Sequence, residues 1–225
     1  MDKLKIALST DPPQDIIELV KYIDATKKYI DLVHFDIMDG KFVEKTTYNY
    51  KDVEFLKLNS TLPFDAHLMV EHPEKDIKSY AKAGANMITV HYECFNNKRL
   101  LVKTLNNIKK QKCLCGLSIN PNTKIEEIFE YLNLVDLVLV MSVYPGKSGQ
   151  TFIEETYSRV EKLNDYRKKN NIKFLISVDG GIDDKIAPKL KMKDVDIIVS
   201  GSYIYNHQKN LLSAIMALQK LPKLI

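Results

Sequence analysis

Four side chains in three short segments have the types and spacing to hold a divalent metal and to move a proton. The segments read His34-Phe35-Asp36-Ile37-Met38-Asp39-Gly40, Asp65-Ala66-His67-Leu68-Met69 and Ser177-Val178-Asp179-Gly180-Gly181. Alternate residues of an extended chain share a face, so His34, Asp36 and Met38 point one way, and so do Asp65 and His67. His34, Asp36, His67 and Asp179 together make an N₂O₂ donor set. Imidazole plus carboxylate suits Zn²⁺ first, with Fe²⁺, Co²⁺ or Mn²⁺ as alternatives, one metal per chain. Taken singly, a strand-end His is more often a structural hydrogen-bonding residue, and Asp39 before Gly40 reads as turn chemistry. Charge-capable groups gathered at three neighbouring strand ends are costly unless a function compensates them, so the set of four reads as functional.

Glycine turns supply a second feature: Pro145-Gly146-Lys147-Ser148-Gly149, Asp179-Gly180-Gly181 and Ser200-Gly201-Ser202. Glycine lets backbone N–H groups approach an anion closely, and three such turns at adjacent strand ends predict a phosphate grip. Met38, Met69 and Met141 fall near strand ends as well. Met packs anywhere, so core filling competes with a polarisable, dry wall over a planar intermediate.

These residues need a scaffold that converges strand ends on one pocket. Eight apolar runs recur along the chain: 4–8, 30–37, 62–70, 86–90, 113–119, 135–143, 173–178 and 195–199. Between several of them lie amphipathic helical patterns, such as Ile16-Ile17-Leu19-Val20-Ile23, Ile125-Ile128-Phe129-Leu132 and Leu211-Leu212-Ile215-Met216-Leu218. Strands apolar on both faces and followed by helices imply a parallel sheet. Eight of them, in 225 residues, predict one (β/α)₈ barrel spanning 1–225, a fold that takes about 200 to 250 residues. No GxGxxG follows the first run, which removes the main support for a dinucleotide fold. In such barrels the chemistry sits at the carboxyl ends of the strands, where the named residues fall.

Composition excludes several classes. The net charge is only +4, with lysines spread along the chain. The basic clusters Lys109-Lys110-Gln111-Lys112 and Arg167-Lys168-Lys169 fall where helices should end, which suits the helix dipole instead of nucleic acid. The start, Met1-Asp2-Lys3-Leu4-Lys5-Ile6, lacks a signal peptide's apolar region. The longest apolar run is broken by Asp136 and too short to span a bilayer, so no membrane association is expected. Three cysteines give no disulfide framework, and Cys113 and Cys115 read as buried strand thiols. These features predict a cytoplasmic protein.

The segments 34–43, 65–70, 141–150, 178–182 and 199–202 resemble the signature segments of the ribulose-phosphate 3-epimerase family, and the match continues through Ala83-Gly84-Ala85 and 116–121. The resemblance implies a (β/α)₈ barrel with one divalent metal on His34, Asp36, His67 and Asp179. It implies Asp36 and Asp179 as the acid/base pair, with Ser9 and His67 touching a phosphorylated ketose. It assigns the phosphate to the loop from Gly146 to Gly149 and to Gly180, Gly181, Gly201 and Ser202, and it implies a homo-oligomer, dimer or hexamer. Inverting a carbinol carbon beside a ketone requires removing a weakly acidic C–H proton and returning one to the opposite face. Two carboxylates can do both, and a Lewis-acid metal stabilises the enediolate between them.

Some segments depart from the family. Its usual opening, Pro-Ser-Ile-Leu-Ser-Ala-Asp, is here Ala7-Leu8-Ser9-Thr10-Asp11-Pro12-Pro13, and its His-Phe-Val-Pro-Asn is Lys41-Phe42-Val43-Glu44-Lys45. The aromatic of its loop after the sixth strand gives way to Lys147. The four metal positions are kept, so the departures bear on the sugar, and an allulose-6-phosphate type of 3-epimerase is the alternative. Related metal-free decarboxylase barrels carry Asp-x-Lys-x-x-Asp, whereas this chain has His67 in place of the lysine and no second Asp. Intact Asp36 and Asp179 argue against a silent sugar-phosphate binder.

Overall fold

The eight apolar runs form eight strands because each is too short for a helix of its own. In the computed structural model, which describes residues 3–11 and 15–220, they are β1 (Lys5–Ser9), β2 (Leu32–Met38), β3 (Phe64–Met69), β4 (Met87–His91), β5 (Leu114–Ile119), β6 (Leu137–Met141), β7 (Leu175–Asp179) and β8 (Ile197–Ser200). All pair in parallel and in chain order, and β8 pairs with β1 to close a (β/α)₈ barrel. Pro12 and Pro13 lie outside the described residues.

The surrounding helices are α1 (Ile16–Thr26), α2 (Tyr50–Asn59), α3 (Ile77–Lys82), α4 (Lys98–Lys110), α5 (Thr156–Asn170), α6 (Ile186–Met192), α7 (Ser202–Asn206) and α8 (Leu211–Leu218). Their ends follow local chemistry. Asn49 and Asp52 form a reciprocal capping box on α2, and the Asn97 side chain accepts from the Arg99 and Leu100 N–H groups to start α4. The basic clusters noted in the sequence close α4 and α5, where cations complement the carbonyl end. No described helix is long and apolar enough to cross a membrane.

One element differs from expectation. The helical pattern after β5 is a 3₁₀ run, Ile125–Leu134. Its apolar residues Ile125, Ile128, Tyr131 and Leu134 recur every third position, which matches three residues per turn better than 3.6.

Apolar side chains fill two layers. Outward-facing strand residues such as Phe35, Leu68, Ile88 and Val140 pack against the helices in the larger core. Inside the barrel, Ala7, Leu32, Met87, Leu137, Leu139 and Ile197 plug the lower half. Above that plug the inward positions turn polar. In register, Ser9 lies beside His34, Asp36 beside His67, and Met141 beside Asp179. The apolar floor therefore leaves most of the inward polar groups toward the carboxyl ends of the strands.

Candidate metal centre and active site

Alternation along β2 and β3 aims His34, Asp36 and His67 into the barrel, where their relative exposures are 1%, 5% and 0%. Asp179 ends β7 and is half-buried. The three strand ends are not all neighbours, which corrects the sequence reading. Strands β8 and β1 separate β7 from β2, and closure brings Asp179 to the set from around the rim. One donor atom from each of the four residues lies within 4.8 Å of all the others.

Two further residues orient this set. Asp65 Oδ2 lies 2.9 Å from His34 Nδ1, and the Thr89 hydroxyl donates to Asp65 Oδ1 at 2.8 Å. The Ser9 hydroxyl donates to Asp36 Oδ2 at 2.6 Å, and the Tyr205 hydroxyl donates to the Ser9 carbonyl at 2.8 Å. Gly116 makes room for this arrangement: a Cβ there would fall 2.2 Å from Thr89 Oγ1. Gly116→Ala is expected to lower stability by about 1–3 kcal/mol through overpacking, and to disturb His34 through Thr89 and Asp65. Denaturant unfolding of the metal-free variant checks the first effect, and metal titration checks the second.

The geometry fits a cation better than it fits hydrogen bonding alone. His34 Nδ1 faces Asp65, so its proton is directed there and Nε2 is left toward the centre. That Nε2 lies 3.1 Å from His67 Nδ1, 3.6 Å from Asp36 Oδ1 and 3.7 Å from Asp179 Oδ2. Two facing ring nitrogens beside two carboxylates repel unless a positive charge, proton or metal, sits among them. The titration of the group reflects this. Burial disfavours a charged His34, but Asp36, Asp65 and Asp179 outweigh it and raise its pKa to about 9. Burial and the neighbouring His34 hold His67 neutral, at about 4, against the pull of Asp36. Burial would raise Asp36, but His34, His67 and the Ser9 hydroxyl lower it overall. Burial and the charge of Asp36 raise Asp179 to about 7. Two carboxylates in one site are thus pushed apart, one ionised and one protonated near neutrality.

Above the donors lies a cavity that opens to solvent. Ser9, Asp36, Met38, Met69, Met141, Gly146, Lys147, Ser148, Gly149, Asp179, Gly180, Gly181, Gly201 and Ser202 all line it, so the residues singled out from sequence converge on one space. His34 and His67 are not among its lining residues; they lie beneath it. Two glycines are dictated by close approach. Gly181 has φ +65°, and a Cβ there would meet the Phe152 nitrogen at 2.6 Å; a Cβ on Gly201 would meet the Asp11 carbonyl at 2.4 Å. The loop after β6 is stitched by the Gln150 amide, which donates to the Tyr144 and Lys147 carbonyls at 2.6 and 2.9 Å, with Lys147 exposed above the cavity. Asp39 does make a turn, accepting from the Lys41 and Phe42 N–H groups at 2.9 and 3.0 Å.

Sequence reasoning missed the roles of Asp65 and Thr89, the pair His91 and Glu93 behind His67, and an ion pair in which Lys45 meets the buried, cavity-lining Asp11. Strand alternation could have found Asp65, Thr89 and His91, each an inward residue next to a donor. Lys45 and Asp11 sit in the two segments that depart from the resembled family, and that departure was their only signal.

Comparison with known proteins agrees with this geometry. A sequence profile of the ribulose-phosphate 3 epimerase family matches residues 5–205. The ribulose-phosphate 3-epimerase of Aquifex aeolicus is 40% identical over 175 residues, 78% of each chain. That of Bacillus subtilis is 36% identical over 185 residues, covering 81% of this chain and 83% of its own. Among solved structures, 3-hexulose-6-phosphate synthase from Salmonella typhimurium superposes with a TM-score of 0.73 at 14% identity, over 96% of this chain and 97% of that one. That last likeness is one of fold.

Proposed function

The chain belongs to the ribulose-phosphate 3-epimerase family, and from that premise we propose that it is a metal-dependent isomerase interconverting D-ribulose 5-phosphate and D-xylulose 5-phosphate. The observation that carries this reading is the set His34, Asp36, His67 and Asp179, gathered within 4.8 Å beneath a cavity lined by glycine turns. Such an N₂O₂ set would hold one divalent cation, Zn²⁺ in the first instance. A bound cation would supply Lewis-acid stabilisation of the negative charge that develops when the C3 proton leaves.

The chain's own residues do the rest. Asp36, kept ionised and aimed by the Ser9 hydroxyl, removes the proton of one epimer. Asp179 stands on the opposite face, where it returns a proton to the carbon, and the roles exchange in the reverse direction. Met38, Met69 and Met141, all at most 4% exposed, keep water from the reacting carbon, which strengthens the electrostatics there. Gly146 to Gly149, Gly180, Gly181, Gly201 and Ser202 offer the backbone that grips the phosphate. A cytoplasmic homo-oligomer is part of the same reading.

A coupled assay comparing ribulose 5-phosphate with allulose 6-phosphate, with metal analysis of the same preparation, tests the proposal. Turnover of the pentulose phosphate supports it. Turnover of the hexulose alone would move the assignment to the related sugar, and no turnover of either by metal-loaded protein refutes epimerase function.

Lys147 is the one cation of the loop after β6 that lines the cavity, and it is assigned to the substrate phosphate. Lys147→Ala is expected to raise KM by roughly tenfold, about 1.4 kcal/mol for one exposed charge-assisted contact, with kcat nearly unchanged. A phosphate remote from the reacting carbon contributes mainly uniform binding. Steady-state kinetics decide it: an unchanged KM makes Lys147 a solvated loop residue.

A further inference from the structure

Behind His67, on the side away from the other donors, runs a chain of hydrogen-bonding groups, two buried imidazoles that end on a half-buried, fixed carboxylate. His67 Nε2 lies 2.8 Å from His91 Nε2, and His91 Nδ1 lies 3.3 Å from Glu93 Oε2. Both imidazoles are fully buried, their planes within 25° and their centres 4.9 Å apart, and the Phe42 ring packs against His91 at 4.8 Å. Glu93 is pinned through its other oxygen, which accepts from the Asn120 N–H at 2.8 Å and the Thr123 hydroxyl at 2.6 Å. Arg159 holds that segment in turn, donating to the Asn120 carbonyl at 2.7 Å.

The direction of every bond in this chain follows from its end. A carboxylate only accepts, so His91 places its proton on Nδ1. In a neutral ring that leaves His91 Nε2 as an acceptor. Two ring nitrogens 2.8 Å apart share one proton, so His67 carries it on Nε2. A neutral His67 then has a bare lone pair on Nδ1, the atom facing His34, Asp36 and the metal position.

We propose that Glu93 and His91 are positioning residues for His67: the carboxylate–imidazole–imidazole chain fixes the His67 tautomer and ring orientation that present Nδ1 to the cation. The inference rests on the metal-dependent reading above. It gives His67 the partner that ligand histidines require on their second nitrogen, a role that Asp65 fills for His34. It also explains a half-buried carboxylate that no step of the reaction uses.

Two measurements test it. The first is Zn²⁺ affinity by competition with a chromophoric chelator, at fixed pH, for wild type, Glu93→Gln and His91→Ala. The expected result is a 10- to 100-fold rise in Kd for each variant. The melting temperature of the chelator-treated proteins is read alongside, because a purely structural role would lower that temperature and leave the Kd of the folded protein alone. Wild-type Kd in a folded Glu93→Gln protein overturns the proposal, and this isosteric variant decides the matter if His91→Ala does not fold. The second is the ¹⁵N shift pattern of the Zn²⁺-loaded wild type, in which His91 should be protonated on Nδ1 only and His67 on Nε2 only. A proton on His91 Nε2 overturns the proposal whatever the affinities. Wild-type protein that binds no Zn²⁺ overturns both this inference and the metal reading. Tight wild-type binding with indifferent variants overturns the inference alone.

Discussion

A fully metal-loaded Asp179→Asn protein is expected to epimerise at least about 10²-fold more slowly than wild type, the low end for a positioned acid/base. It is also expected to keep half of the chemistry. The argument begins with the opposed titration of the two carboxylates. Without metal, Asp36 is held ionised by the imidazoles and the Ser9 hydroxyl, whereas burial and Asp36 itself raise Asp179 to about 7. The two carboxylates thus differ in proton affinity, which suits a reaction that removes a proton on one face and returns one on the other. An amide at 179 can neither give nor take that proton, but Asp36 survives. One epimer should then still exchange its C3 hydrogen with deuterated water without inverting, and Asp36→Asn should show the complementary preference. Both residues also belong to the donor set, so metal content must be matched before rates are compared. Mass spectrometry of recovered substrate reads the exchange. If both loaded variants exchange the same epimer, or epimerise at the wild-type rate, the two-carboxylate mechanism is wrong.

Much of this site is legible in the sequence, for identifiable reasons. His34, Asp36 and Met38 share a face because strands alternate, and the alternation survives folding since β2 is buried throughout. The glycines were legible because close approach admits no other residue, as the contacts that a Cβ on Gly181 or Gly201 would make demonstrate. What was not legible depended on closure or on long-range pairing. Nothing local says that β7 meets β2 around the rim, so Asp179 was read as a neighbour when it is not one. His91-Tyr92-Glu93 reads as a strand running into a turn, and its meaning appears only when His67, 24 residues earlier, lands 2.8 Å away. Lys45 reads as one more loop lysine until Asp11, 34 residues earlier, is found buried against it. The 3₁₀ run at Ile125–Leu134 shows a subtler limit, since Ile125 and Ile128 fit either period, Phe129 and Leu132 fit 3.6, and Tyr131 and Leu134 fit 3.0.

Metal affinity is expected to climb steeply with pH, by on the order of 10³ between pH 6 and pH 8, because protons and metal compete for the same donors. The sign follows from the pKa values. A metal takes only deprotonated ligands, so any ligand whose pKa lies above the ambient pH must lose a proton on binding, which weakens binding at low pH. His34, at about 9, holds its proton across this whole range. It contributes about tenfold in affinity per pH unit until the pH passes 9. Asp179, at about 7, adds a second displaced proton below neutrality and little above it. His67, at about 4, and Asp36, lowered from its usual range, are already free of protons and add nothing. Binding at pH 6 should therefore release about two protons, and binding at pH 8 about one. Calorimetric titration of Zn²⁺ in buffers of different ionisation enthalpy counts these protons directly. A single proton at both values would make Asp179 an ionised ligand at pH 6, and the division of labour between the two carboxylates would lose its basis. No proton release at either pH would mean that His34 reaches the metal already neutral. The charges of Asp36, Asp65 and Asp179 would then be too weak to hold a proton on His34 against its burial.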